Sequence, residues 1–274
     1  MAVRVPATSA NLGPGFDALG LAVSLHCTVG IVDTDIAPEG AQVAEDGHPA
    51  QIAFVRAGGN GRVWTHNNIP MGRGLGFSGA ARVGGAVVAE VQHQGSLWSL
   101  QSSAALELCT ELEGHADNVA PSLYGGIVAT TAGRVVQIPF ALDAAFIAWV
   151  PSFTTSTNES RGKIGPTISI ADAVFNIGHT ALLVAAFAAG DIEALAEATK
   201  DRIHQDIRFA MAEPSRAALN AALDAGAWCG WLSGSGPTVM SLCAPADAKR
   251  IAAALPADGH AKILSLDTSG AVVI

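Results

Sequence analysis

Residues 70–81 read Pro-Met-Gly-Arg-Gly-Leu-Gly-Phe-Ser-Gly-Ala-Ala, with three glycines in the five positions from Gly72 to Gly76. Glycine lets the backbone turn tightly and approach a ligand closely. The apolar stretch Val83–Val88 that follows predicts a buried helix. A glycine loop opening a helix is either a plain glycine-rich turn or, through unpaired N–H groups at the positive end of the dipole, an anion site suited to phosphate. No Gly-Lys-Ser/Thr follows, so this is not the usual P-loop. Ser78 falls at the mouth of the helix, where its hydroxyl can cap the helix, meet a phosphate oxygen or join a Mg²⁺ ion.

Three further groups carry polar side chains at spacings that matter. Asn11, Gly13, Gly15 and Asp17 lie between two strand-like segments and offer either an Asx turn or a polar contact for a substrate amine or hydroxyl. Glu111 and Glu113 end a predicted helix just before His115-Ala116-Asp117-Asn118. Mg²⁺ takes one or two carboxylates, with water and phosphate completing its shell. Residues two apart on a helix do not face one ligand, so one of the two glutamates alone is expected at a metal. Leu232-Ser233-Gly234-Ser235-Gly236-Pro237-Thr238 is a second glycine-rich turn, which either joins two strands or also closes over the same phosphates.

The elements expected to carry these groups form an α+β chain in two lobes. Strands are expected at 3–6 and 20–33, a strand pair across 51–63, a helix after the glycine loop ending before Gly95, and a second from Ser96 to Leu112. Strands follow at 127–131, 135–138 and 145–150, then a Ser/Thr-rich stretch at 152–158 taken as the boundary between domains 1–151 and 152–274. Beyond it come helices at 172–189, 192–202 and 214–225, strands at 230–233 and 238–242, a helix at 245–255 and a strand at 261–266.

The net charge of −9 argues against a nucleic-acid partner and means that polyanion binding must be arranged locally. The longest helix-like apolar run, Thr180–Ala189, reads as too short to cross a bilayer. The four cysteines lack Cys-x-x-Cys spacing and read as free core thiols in a reducing compartment. A soluble cytoplasmic protein without a membrane partner is expected.

Pro6-Ala7-Thr8-Ser9-Ala10-Asn11-Leu12-Gly13-Pro14-Gly15-Phe16-Asp17, the glycine loop, Glu113-Gly114-His115-Ala116-Asp117-Asn118-Val119-Ala120-Pro121, Thr157-x-x-x-Arg161, Asp201-Arg202-Ile203-His204-Gln205-x-x-Arg208 and Ser233-Gly234-Ser235-Gly236-Pro237-Thr238 occur in this order. Together they resemble the GHMP kinases, and within that superfamily the homoserine kinases. The resemblance implies a two-lobed fold, with an N-terminal lobe like ribosomal protein S5 domain 2, a ferredoxin-like C-terminal lobe and the active site between them. It implies ATP-dependent phosphorylation of the side-chain hydroxyl of L-homoserine, on the threonine pathway, with ATP and Mg²⁺ required and a homodimer allowed.

Carried over by position, Pro70, Gly72, Arg73, Gly74, Leu75, Gly76, Ser78, Gly79 and Ala80 would wrap the triphosphate, helped by Ser233 and Gly234, with Asn67 near the base. Ser78 and Glu111 would hold Mg²⁺. Asn11, Asp17, His115, Asp117, Asn118, Thr157, Arg161 and Arg208 would bind the amino acid. A carboxylate suits its ammonium and two guanidinium forks its carboxylate. Asp117, Asn118 and Arg161 would stand closest to the chemistry, Asp117 orienting the substrate first and accepting a proton second. The usual Gly-Leu-Gly-Ser-Ser-Ala of the family reads Gly-Leu-Gly-Phe77-Ser78-Gly79 here. Two alternatives stay open: a kinase of another small alcohol such as threonine, or a silent ligand-binding relative.

Overall fold

The computed structural model describes residues 1–274 except 96–97, 101–102 and 156, and except the side chains of 157–159. Among the described residues, two sheets organise the chain. The first is built on β1 (Val3–Ala10) and the long β2 (Leu19–Ile31), antiparallel neighbours. β2 also pairs with β4 (Val63–Asn67) through one half and with β5 (Ile127–Thr131) through the other. Two-residue β3 (Gln42–Val43) adds to β4, and β6 (Arg134–Ile138) adds to β5. The turn between β1 and β2 is therefore held at the centre of a seven-stranded sheet.

Helix α2 (Phe77–Gln94) lies across β1 and β2 and buries Val83, Ala86, Val87 and Val88, as the apolar run predicts. Gly84 and Gly85 permit the close approach, since a Cβ on Gly84 would strike Val29 and one on Gly85 the Ala50 carbonyl. That carbonyl belongs to α1 (Pro49–Arg56), which replaces the first strand expected within 51–63. His48 caps this helix, its Nδ1 accepting from the Ala50 N–H at 3.2 Å, and Pro49 stands in the first turn. Ala50, Ala53 and Phe54 then fall on one buried face. Helices α3 (Ala105–Glu113) and α4 (Val119–Tyr124) complete this lobe. The expected start of the helix at Ser96 lies outside the described residues.

β7 (Ala145–Pro151) begins the second sheet. It is followed by α5 (Thr157–Gly162), α6 (Ile170–Ala189), α7 (Ile192–Ala198), α8 (Gln205–Phe209) and α9 (Glu213–Asp224). The hairpin β8 (Cys229–Leu232) and β9 (Val239–Cys243), then α10 (Ala248–Ala254) and β10 (Gly259–Leu264), finish it. The antiparallel order β10-β7-β9-β8, with helices in both crossovers, is the split βαβ arrangement of ferredoxin-like lobes. Strand pairing moves the expected division at 151/152. β7 belongs to the second sheet, and β11 (Val272–Val273) returns to pair with β1 in the first.

α6 corrects the expectation for Thr180–Ala189. It runs 20 residues with a mean hydropathy of 1.6 over its best window, long and apolar enough by that measure to cross a membrane. Only 22% of that window is buried, on the face turned to the protein. Leu183, Ala186 and Phe187 enter the core, and buried Asn176 donates to the Pro14 carbonyl and to Asp201. Cys27, Cys109, Cys229 and Cys243 are free, buried thiols, and burial pushes those of Cys27, Cys109 and Cys229 up to about 12.

Candidate active site

A cleft of about 730 Å³ runs between the lobes, bounded by the glycine loop, the start of α2, the end of α3, the β1–β2 turn and the second glycine turn. Its size suits a drug-sized ligand or a nucleotide with a small partner.

In the loop, Gly72, Gly74 and Gly76 have φ of 66°, 73° and 66°, the left-handed region that favours glycine. Space is as restrictive as torsion. A Cβ at Gly74 would strike the carbonyls of Ser233 and Gly236, and one at Gly76 would fall on Thr8 Oγ1. Gly76 is the N-cap of α2 and no side chain caps that terminus, so its first N–H groups face the cleft with the dipole behind them. Phe77 opens the helix, packs against the core and meets His48 edge-on at 5.8 Å. Arg73 is committed to backbone: its guanidinium donates to the carbonyls of Met71, Pro151 and Ser152, each at 2.9 Å, tying the loop to the second lobe.

Ser78 Oγ donates to Glu113 Oε1 at 2.5 Å. Glu111 does not reach this point: its carboxylate is two-thirds exposed and pairs with Arg56 of α1 at 2.8 Å. Glu113, not the expected Glu111, is the carboxylate that meets Ser78 and lines the cleft, because positions two apart lie on different faces of α3. Asn67 is also turned away. Its side chain closes a turn through Ile69, accepting from that N–H and donating to that carbonyl, both at 2.9 Å, and it does not line the cleft. Ala80 and Ser233 are buried behind the wall. Ser233 Oγ bonds the Gly74 carbonyl at 2.6 Å and Ser9 Oγ at 2.8 Å, locking one glycine loop to the other.

The opposite end gathers groups from four separate segments. Asn11 has φ of 70° and Asp17 of 56°, so the β1–β2 turn is held in a strained form. Asn11 Oδ1 accepts from the Asp17 N–H at 3.1 Å, while Asn11 Nδ2 donates to the Gly234 carbonyl at 3.0 Å. Arg161 on α5 grips Asp17 with two N–H···O bonds of 2.8 and 2.7 Å. Burial pushes the Asp17 carboxyl up, but Arg161, with smaller help from His115 and Arg208, leaves it below its ordinary value.

Arg208 on α8 is buried; its Nη1 bonds Gly234 O at 2.9 Å and His204 Nδ1 at 3.0 Å. Burial, and then the neighbouring Arg161 charge, push it down to about 10. The Phe16 ring lies under both guanidiniums, 5.4 Å from that of Arg161 and 5.3 Å from that of Arg208. His204 is wholly buried; its Nε2–H donates to the Gly13 carbonyl at 2.8 Å, and burial lowers its pKa.

Between the two ends sit His115, Asp117 and Asn118. His115 Nδ1–H donates to Asp117 Oδ1 at 2.7 Å, and this bond raises the imidazole above its usual value against the effect of burial. Thr8 Oγ1 donates to Asn118 Oδ1 at 2.8 Å, and Asn118 Nδ2 donates to Asp117 Oδ1 at 3.5 Å, which leaves its second N–H to the cleft. Of the expected amino-acid contacts, all but Thr157 line the cleft, and the Thr157 side chain is outside the described residues. Sequence reasoning weighed Glu113 against Glu111 and carried over Glu111, and it assigned no role to Arg82, Thr8 or Thr155, the last of which bonds the Gly236 carbonyl at 2.9 Å. The one available signal was the helical phase of Arg82 with Ser78, four residues apart on α2.

Profiles described as the GHMP kinases N terminal domain and the GHMP kinases C terminal match residues 41–126 and 183–261. A homoserine kinase of Desulfitobacterium hafniense is 40% identical over 299 residues, covering 99% of both chains. One of Streptomyces avermitilis is 40% identical over 291 residues, covering 99% of this chain and 95% of its own. Among solved structures, the homoserine kinase of Cytophaga hutchinsonii superposes with a TM-score of 0.86 at 26% identity, over 100% of this chain and 97% of that one. A mevalonate kinase shares the fold at a TM-score of 0.72 and 13% identity, over 98% of this chain and 100% of that one. The architecture is thus the two-lobed GHMP kinase fold. The chain belongs to the GHMP kinase family and, within it, to the homoserine kinases.

Proposed function

We propose that this protein transfers the γ-phosphoryl group of ATP to the side-chain hydroxyl of L-homoserine, giving O-phospho-L-homoserine and ADP. The observation that carries the reading is one cleft with a ring of helix-start amides at one end and, at the other, Asp17 facing Arg161 and Arg208. The amides suit a triphosphate. Asp17 suits the substrate ammonium, and the two guanidiniums, aligned on Phe16, suit its carboxylate.

The hydroxyl of Ser78 and the carboxylate of Glu113 are hard oxygen donors meeting at one point, a set that fits Mg²⁺ once phosphate and water fill the remaining positions. Bound there, the ion would neutralise charge building on the phosphate oxygens. The chain's own part is positioning. Asn118 Nδ2 and the Asp117–His115 pair aim the acceptor hydroxyl, and the lobes exclude water around it. Asp117 is already engaged with His115, so orientation ranks ahead of proton acceptance among its roles. We place the reaction in the cytoplasm, on free amino acid and nucleotide, without a nucleic-acid or membrane partner.

The test is ADP release by purified protein with homoserine, threonine or mevalonate as acceptor. A clear preference for homoserine supports the reading, and preference for either rival overturns it. No release with any acceptor, together with thermal stabilisation by Mg-ATP, would identify a silent relative. Phe77 meets His48 and the core while also lining the cleft, so the binding of Mg-ATP in this test decides whether its ring leaves room for the phosphates.

A further inference from the structure

Arg82 lies inside the cleft yet has no part in the reading above. It stands four residues after Ser78 on α2, so both side chains share one face of the helix. Its Nη1 donates to Ser78 Oγ at 2.7 Å and pairs with the Glu113 carboxylate. The side chains of Arg82 and Glu113 are only 17% and 13% exposed. Ser78 in turn donates to Glu113, so hydroxyl, carboxylate and guanidinium form a closed triangle at the point where the two hard oxygens meet. The Nε–H of Arg82 is buried with no acceptor among the described residues, a donor free for something the protein does not provide.

We propose that Arg82 is a built-in counter-ion that competes with the divalent metal for Glu113 and Ser78 and yields when a nucleotide phosphate draws the guanidinium toward the loop. The inference rests on the nucleotide reading of the glycine loop. A carboxylate already matched by a sheltered guanidinium is a poor site for a free divalent ion, because the metal would have to displace a paired charge. A phosphate held on the first amides of α2 lies about one helical turn from Arg82 and offers acceptors that a guanidinium prefers. The metal therefore enters with the nucleotide or after it.

The test is binding, without turnover. Free Mn²⁺ is measured by electron paramagnetic resonance against nucleotide-free native protein, Arg82→Gln and Arg82→Lys. Arg82→Gln should bind Mn²⁺ at least about tenfold tighter than native, and metal-free ATP in EDTA at least about fivefold weaker. Arg82→Lys, which keeps the charge without the fork, should fall between, and it alone decides if Arg82→Gln does not fold: Mn²⁺ bound about threefold tighter supports the proposal. Unchanged Mn²⁺ affinity in the folded variants overturns the Arg82 inference while leaving the nucleotide site intact. Native protein that binds no Mg-ATP at all overturns both.

Discussion

Asp17 and Arg161, 144 residues apart and carried by different lobes, meet in a two-pronged pair of 2.7 and 2.8 Å across the substrate end of the cleft. Each satisfies the other in the free protein. An amino-acid zwitterion presents the same two charges in complementary order, so it can part the pair and leave neither group unmatched.

Arg161→Lys removes the fork and keeps the charge. The expected result is a rise of about 10- to 100-fold in KM for homoserine with a smaller change in kcat, read from steady-state kinetics. Stability should move by less than about 1 kcal/mol, since Arg161 is 42% exposed. An unchanged KM would remove Arg161 from the carboxylate site.

Glu113→Gln and Glu111→Gln separate two neighbours that composition treats alike. Loss of the carboxylate beside Ser78 should lower kcat/KM by about 100-fold or more, whereas the Arg56-paired carboxylate should matter less than about twofold. Equal effects would contradict the assignment of Glu113.

Gly76→Ala places a methyl group on Thr8 Oγ1 at a left-handed φ of 66°. Denaturant unfolding should show a loss of about 2–4 kcal/mol. Saturating Mg-ATP, at a hundred times its Kd, should stabilise native protein by about 2.7 kcal/mol and the variant far less. A variant that keeps both stability and the ATP response would dismiss the loop geometry.

His115 gives a pH signature. The hydrogen bond to Asp117 raises its folded pKa above the ordinary value of about 6.5. A raised histidine contributes stability that is fully present below the unfolded pKa and fades as pH climbs through the folded one. The advantage of native protein over His115→Asn should therefore shrink from about pH 6.5 upward, measured as urea midpoints at several pH values. A difference that stays constant across that range would show that the imidazolium is not held.

Legibility followed periodicity and glycine chemistry. The buried helix behind the glycine loop was readable because Val83, Ala86 and Val87 repeat at helical spacing with glycine ahead of them. The polar turn from Asn11 to Asp17 was readable because its residue types suit αL geometry. The 51–63 segment misled because Ile52, Phe54 and Val55 favour strands locally, while the deciding features, the His48 cap and the Ala50–Ala53–Phe54 face, work through packing on α2. The choice between Glu111 and Glu113 depends on which side of α3 meets α2, a relation between helices that no local pattern contains. β7 and β11 joined the opposite sheets from those that chain order suggests, because strand partners are chosen across space.

Val272 and Val273 stitch the tail of the polypeptide to Arg4 and Val3 beside its head. The chain therefore crosses the seam on leaving β6 and crosses it again after β10. Halves laced by two strands of polypeptide can part only by bending at both crossings together. A local give in the short helix that bears Arg161 would admit the amino acid without disturbing either lacing.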